Sequence, residues 1–273
     1  MRESRGAVMP ARERDRGSVS HEEMLMHPDE YRMMFEQEDK HWWYRGLRVL
    51  LKGVLARYVD ADAPRPKILD AGCGTGANLK LLESYGDALG VDISEQALAF
   101  CRERGISGSR VMQASVTDLP FQNGHFDIAV SFDVICNIVD DVGAFAEIGR
   151  VLKPAGIFVV QLPAYQWLWS RHDVAVGHKW RYTARSVREK LSRAGFAIER
   201  VTHVNTLFFP FVATRRVLDR RALENGHAIR SEVTPVPRPV NGLLSALYTA
   251  ETRAAARINL PYGLSVIAVA RKK

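Results

Sequence analysis

No stretch of the 273-residue chain approaches the roughly 18–20 apolar residues of a membrane-spanning helix. Cysteine is scarce: Cys73, Cys101 and Cys136 stand far apart, without the paired spacing of a metal or disulfide site. That excludes a disulfide scaffold and a cysteine-built metal centre, and no metal is expected. The first residues are charged and hold no hydrophobic leader, so no secretion signal is expected and reduced thiols point to a cytoplasmic protein. Acids are outnumbered, 31 against 38 Lys and Arg, for a net charge of +7, but the basic residues are scattered. Scatter of this kind argues for a solvated surface and against nucleic acid. Attraction to anionic substrates or lipid head groups, and hence peripheral membrane contact, is the second account of the charge. Internal repeats are absent, and nothing sets an oligomeric state.

What the chain does have is a hydrophobic content of 47 %, enough for one full core with appendages. Four regions follow from patterning. Residues 1–20 alternate charged and small residues without apolar periodicity and are expected to be a disordered tail. Residues 21–65 read as a helical lid carrying the aromatic knot His41-Trp42-Trp43-Tyr44. Residues 66–204 alternate strands and helices, and residues 205–262 form a helical insertion before a last strand at 264–270, within a terminal segment 263–273. A long insertion in a compact domain usually has a function, here a substrate cap; a helical pair packed on the sheet edge is the alternative.

The richest stretch is Lys67–Leu79, KILDAGCGTGANL, followed by Gly90-Val91-Asp92. A short apolar strand enters a loop with Gly72, Gly74 and Gly76, a helix starts, and a second strand ends in an acid. Glycines there let backbone approach a ligand, the helix start offers unpaired N–H groups, and Asp92 is placed to take the hydroxyls of a ribose. This predicts a nucleoside cofactor on a Rossmann-like sheet, or else an ordinary glycine-rich strand–turn–helix. The glycine spacing is GxGxG rather than the GxGxxG of dinucleotide sites, and it follows an acid, Asp70. A carboxylate beside the loop repels a pyrophosphate but suits a cofactor bearing an ammonium group.

The string LDAGCGTG, residues 69–76, resembles the first motif of class I S-adenosylmethionine-dependent methyltransferases. Three further segments are similar to the same family in order: Val111–Phe121, the apolar run Phe126–Phe132, and a helix in Ala144–Gly156 closed by RVLKPAG, whose Pro154 and Gly156 are expected to turn the chain into a strand at Ile157–Leu162. The resemblance implies a Rossmann-like seven-stranded, mostly parallel α/β sheet with the last strand antiparallel, and S-adenosylmethionine as cofactor. Carried onto this chain, it implies that Asp70, Gly72, Cys73, Gly74 and Gly76 hold the methionine part. Asp92 and Ile93 would take the ribose, Ser115 and Val116 would flank the adenine, and Phe132 would face the methionine backbone. Tyr44 and Arg48 would close over the cofactor from the lid.

Relatives often carry a Glu-His pair where Cys136-Asn137 stand, so a histidine base is absent there; Asn137 can orient a substrate but cannot take a proton. Polar side chains gather instead after the fifth strand, in Leu162–Tyr182. Downstream of a strand's carboxyl end, this is where open α/β sheets bind ligands. His178 is the best general base by residue type, Asp173 can orient it, and Arg181 with Tyr182 can hold an anion. The alternative is a structural clamp of Asp173, His178 and Arg181. Trp167, Trp169, His172 and Asn205 complete the expected substrate contacts. PAYQWLWSRHDVAVGHKWRYT, with HWWYRGLR upstream and NLPYGLSVIAVARK at the end, resembles one bacterial methyltransferase subgroup over residues 28–273. The expected reaction is methyl transfer to a partly apolar small molecule, secondary-metabolite-like or lipid-linked. A non-methylating S-adenosylmethionine-binding module and an RNA or protein methyltransferase are the alternatives.

Overall fold

The computed structural model describes residues 26–60, 62–223 and 234–273, so the segment expected to be a disordered tail lies outside the described residues. Helices α1 (Pro28–Gln37) and α2 (Trp42–Leu55) come first. In α2, Leu47, Leu50, Leu51, Val54 and Leu55 recur at helical spacing, and all five are buried. This is the apolar stripe of a helix packed on a core. The apolar side of helix α2 is therefore a wall of the fold, while its first turn, Trp42, Trp43 and Tyr44, faces the cavity described below.

Then strands and helices alternate: β1 (Lys67–Ala71), α3 (Ala77–Leu82), β2 (Asp87–Asp92), α4 (Glu95–Glu103), β3 (Val111–Gln113) and β4 (Phe126–Phe132). They continue through α5 (Asp141–Val151), β5 (Leu152–Pro163), α6 (Arg171–Ala175), α7 (Ala184–Arg193) and β6 (Phe196–Val204). The insertion supplies α8 (Phe209–Leu223) and α9 (Arg238–Ala255) before β7 (Ser265–Lys272). Among the described residues the strands form one seven-stranded sheet in the order β3-β2-β1-β4-β5-β7-β6. All neighbours are parallel except β7, which runs antiparallel to β5 and β6. The expected fold class is the one observed.

Side chains stand where the strands' apolar runs demand. Ile128, Ala129 and Val130 of β4 and Phe158, Val159 and Val160 of β5 are buried on both faces, as a sheet covered by helices requires. One boundary differs from the expectation. Helix α5 ends at Val151, and β5 begins at once with Leu152. Pro154 and Gly156 sit in an irregularity of the strand, where the register passes from Phe126↔Leu152 to Ile128↔Ile157 and Ala155 takes φ +61°. Strand order reverses between β1 and β4, and a cavity opens beyond their carboxyl ends. No helix among the described residues is long and apolar enough to cross a membrane.

Candidate active site

The glycine loop owes its shape to left-handed backbone: Gly72, Gly74 and Gly76 have φ of +83°, +53° and +88°. A Cβ on Gly72 would lie 2.2 Å from Cγ2 of Val134, so this position admits no side chain. The loop wraps the end of β2, with the amides of Gly72 and Cys73 donating to the Val91 carbonyl at 2.8 and 2.9 Å. Asp92 closes it: Oδ2 accepts from the Gly74 amide and Oδ1 from the Ser94 amide, each at 2.9 Å. A cavity of about 400 Å³ lies against this loop, within the range of small-molecule sites. Gly72, Cys73, Gly74, Asp92, Ile93, Ser115, Val116 and Phe132 line it.

Asp70 and Gly76 stand off the cavity wall. Asp70 is buried behind the loop with Oδ2 lacking a hydrogen-bond partner, and burial, then the charges of Glu38 and Asp92, push its carboxyl up to about 8. Gly76 caps α3, and a Cβ there would meet Ile106 and Cys101, so its glycine serves packing. Burial also raises the Asp92 carboxyl, against the backbone amides of Ser94, Gly74 and Ile93.

The cover of this end comes from α1, the turn after it and the first turn of α2. Tyr31, Met34, Glu38 and Tyr44 line the cavity. Glu38, which the sequence did not single out, accepts from the Thr75 hydroxyl in the glycine loop and pairs with Arg104 at 2.9 Å. Arg104 in turn donates to the Thr75 carbonyl at 2.9 Å and to Asp39, stapling the α1–α2 turn to the loop. Burial pushes the Glu38 carboxyl up to about 7 despite Thr75 and Arg104. Arg48 does not reach the cavity; it donates to the Glu38 carbonyl at 2.7 Å and so holds the same turn. Glu38, Asp70 and Asp92 thus crowd carboxylates around one loop, a setting that suits a cationic ligand. These residues fit S-adenosylmethionine: acids for its ammonium and sulfonium, Asp92 for the ribose diol, and a loop with no side chain in the way.

The opposite end of the cavity is built by the segment after β5. His178, His172, Arg181, Asn137 and Asn205 line it. Asp173, fully buried, accepts from Arg181 Nε at 2.7 Å and Nη2 at 3.0 Å, and lies 2.7 Å from His178 Nδ1. Its Oδ2 also accepts from the Ser170 amide at 2.7 Å, closing the capping box of α6. Burial acts to raise its carboxyl, but the His178 bond and the Arg181 charge outweigh it and hold Asp173 well below the usual carboxylate range. An ionised Asp173 keeps the proton on Nδ1, which leaves Nε2 as the basic nitrogen of a cavity-lining imidazole. Asn205, at the end of β6, takes φ +65° and has a buried Oδ1 without a partner.

Three expected residues lie elsewhere. The Tyr182 hydroxyl is buried away from the cavity and donates to Asp141 at 2.8 Å. Burial and then Asp141 raise its pKa far beyond reach, so Tyr182 is a core residue and not a base. Trp167 stacks on Tyr165 at 5.9 Å and faces Phe209 at 6.0 Å, while Trp169 follows it out of the cavity. Besides Glu38, a second residue was missed: Asp133, directly after β4, lines the cavity with φ +55° and accepts from Gln161 Nε2 at 2.8 Å. Burial lifts its carboxyl to about 6 against the charges of His178 and Arg181. The signal was an acid at a strand's carboxyl end, beside Phe132. Burial raises the Cys136 thiol, so that side chain stays a neutral filler. No cluster of metal-ligating side chains occurs among the described residues.

Residues 69–160 match the family described as "Methyltransferase domain". An uncharacterized protein of Methanocaldococcus jannaschii is 26 % identical over 224 residues, covering 80 % of this chain and 84 % of that one. A probable S-adenosylmethionine-dependent methyltransferase of Mycolicibacterium smegmatis is 27 % identical over 164 residues, covering 59 % of this chain. The chain spans 62 % of that relative's length. In fold it is similar to a solved S-adenosylmethionine-dependent methyltransferase of Thermotoga maritima, with TM-score 0.54, 19 % identity, and coverage of 89 % of this chain and 99 % of that one. The matched segment spans β1 to β5 and so contains the glycine loop, Asp92 and Asp133. The methyltransferase domain at residues 69–160, the relatives and the fold together support a class I S-adenosylmethionine-dependent methyltransferase with S-adenosylmethionine as cofactor.

Proposed function

We propose that this methyltransferase acts on a small, partly apolar acceptor carrying an O–H or N–H group, with His178 as the base that takes the acceptor's proton. The observation that carries this reading is the shared cavity: the glycine loop and Asp92 line the same cavity as His178 and Arg181, with Phe132 and Asp133 also among the lining residues. Bound S-adenosylmethionine supplies a methyl already activated by its sulfonium, so the protein's work is positioning, water exclusion and proton removal. Asp173 holds the imidazole in the tautomer that accepts at Nε2, and Arg181 keeps Asp173 ionised. Asp133 and the unpartnered Oδ1 of Asn205 are both hydrogen-bond acceptors, which favours an acceptor molecule that donates. Phe211 and Val212 from α8 give the cavity an apolar side, in keeping with a partly apolar molecule.

Transfer of labelled methyl from S-adenosylmethionine into a bacterial small-molecule extract tests the proposal. Turnover is expected with the natural chain and should fall about 10²–10⁴-fold in His178→Ala. Full turnover in that variant would remove His178 from the chemistry.

A further inference from the structure

The two insertion helices carry bare apolar surface. In α9 the exposed positions from Val240 to Ala254 are Val240, Gly242, Leu243, Ala246, Leu247, Ala250, Arg253 and Ala254, one face over four turns that is apolar up to Arg253. Leu243 is 62 % exposed, and from Pro239 to Thr252 the helix holds a single charged residue, the buried Glu251. In α8 and the residues before it, Leu207, Phe211 and Leu218 repeat at helical spacing, Phe211 being 73 % exposed. A helix on a water-facing surface places polar side chains there instead. The α8 face adjoins the cavity mouth. Phe211 lines the cavity itself, and Asn241 in the first turn of α9 accepts from the amide of Trp42, another lining residue.

Charge identifies the occupant. Between residues 205 and 262 the sequence has eight arginines, no lysine and four acids, so this segment holds four of the chain's +7 charges. Exposed Arg238, Arg253 and Arg257 bound the apolar face of α9. Apolar residues flanked by arginine are the pattern of helices that lie in a lipid interface. We propose that the outer faces of α8 and α9 dock on an anionic lipid surface, bringing the cavity mouth to the bilayer. If the methyl-transfer reading holds, on which this second part rests, the acceptor is an amphiphile that enters past Phe211.

Co-sedimentation of the full chain with vesicles tests the docking without cofactor or acceptor. Phosphatidylcholine vesicles are compared with vesicles that also contain phosphatidylglycerol, and S-adenosylhomocysteine affinity is measured in parallel. The natural chain should sediment with the anionic vesicles and be released by salt. Leu243→Ser/Leu247→Ser should weaken that partition by about tenfold or more, from the apolar area lost, and leave S-adenosylhomocysteine affinity unchanged. Failure to bind either vesicle, or equal binding by the variant, overturns the proposal and leaves the methyl-transfer reading standing. A concentration-dependent dimer that the same variant dissociates would also overturn it, by showing a second copy on this face.

Discussion

Asp173→Ala separates the structural from the chemical part of the His178 site. The carboxylate is fully buried, and the Arg181 side chain it pairs with is 2 % exposed. Removing it leaves a desolvated guanidinium, though Nη1 keeps its bond to the Ala164 carbonyl at 2.9 Å. Breaking one side of a buried pair costs about 3–5 kcal/mol. At about 2–4 °C per kcal/mol for a chain of this size, the melting temperature should fall by about 6–20 °C. The sign with pH follows from the carboxyl's depression below its ordinary value. Its contribution is present above the unfolded pKa of about 3.9 and is lost as pH falls below that value. The natural chain should therefore shed this stability in acid, while the variant lacks it at every pH. His178→Ala, by contrast, spares the Asp173–Arg181 pair and should cost only about 1–2 kcal/mol. Circular-dichroism melts of the natural chain and both variants at pH 7 and pH 3 give the comparison. An Asp173→Ala melt within about 2 °C of the natural chain at pH 7 would refute the reasoning, since a real buried pair costs several times that.

Three further outcomes are expected. Hydrogen exchange in α1, residues 28–37, should slow when S-adenosylhomocysteine is added, while the buried part of α2 from Leu50 to Leu55 should not change; slowing there as well would show that all of α2 moves with the cover. Gly72→Ala should abolish cofactor binding or the fold, because the added Cβ meets Val134 and φ is +83°; retained affinity would show that the loop relaxes. With the Glu38 and Asp70 carboxyls raised to about 7 and 8, the ligand-free protein should lose stability as pH rises from about 4 to 8. A cationic cofactor favours their ionised forms, so calorimetry at pH 7 in buffers of different ionisation enthalpy should register proton release with S-adenosylmethionine. Zero release would remove the carboxylate cluster from the cofactor's surroundings.

Local patterns carried the glycine-loop side of the cavity. Gly72, Gly74 and Asp92 lie within one strand–loop–helix–strand unit, where spacing alone sets their geometry. The buried stripe of α2 was equally local but was overshadowed by Trp42, Trp43 and Tyr44, which suggested a cover rather than a wall. At the acceptor end, partners distant in the chain decide. Tyr182 is turned inward by Asp141, 41 residues earlier. Asp133 is held in the cavity wall by Gln161, 28 residues later. Neither pairing leaves a mark in the residues around it. Trp167 leaves the expected substrate wall because Tyr165 and Phe209 offer it aromatic faces, and Phe209 belongs to the insertion.

The central claim is that the cavity at the ends of β1, β2 and β4 holds the cofactor, with Asp92 on its ribose. Isothermal calorimetry of S-adenosylhomocysteine against the natural chain and Asp92→Ala tests it directly. One site per chain is expected in the natural protein, with binding weakened in the variant by about 1.5–3 kcal/mol, the value of hydrogen bonds to a charged group. Absence of binding to the natural chain, or an affinity unchanged by a folded Asp92→Ala, would contradict it.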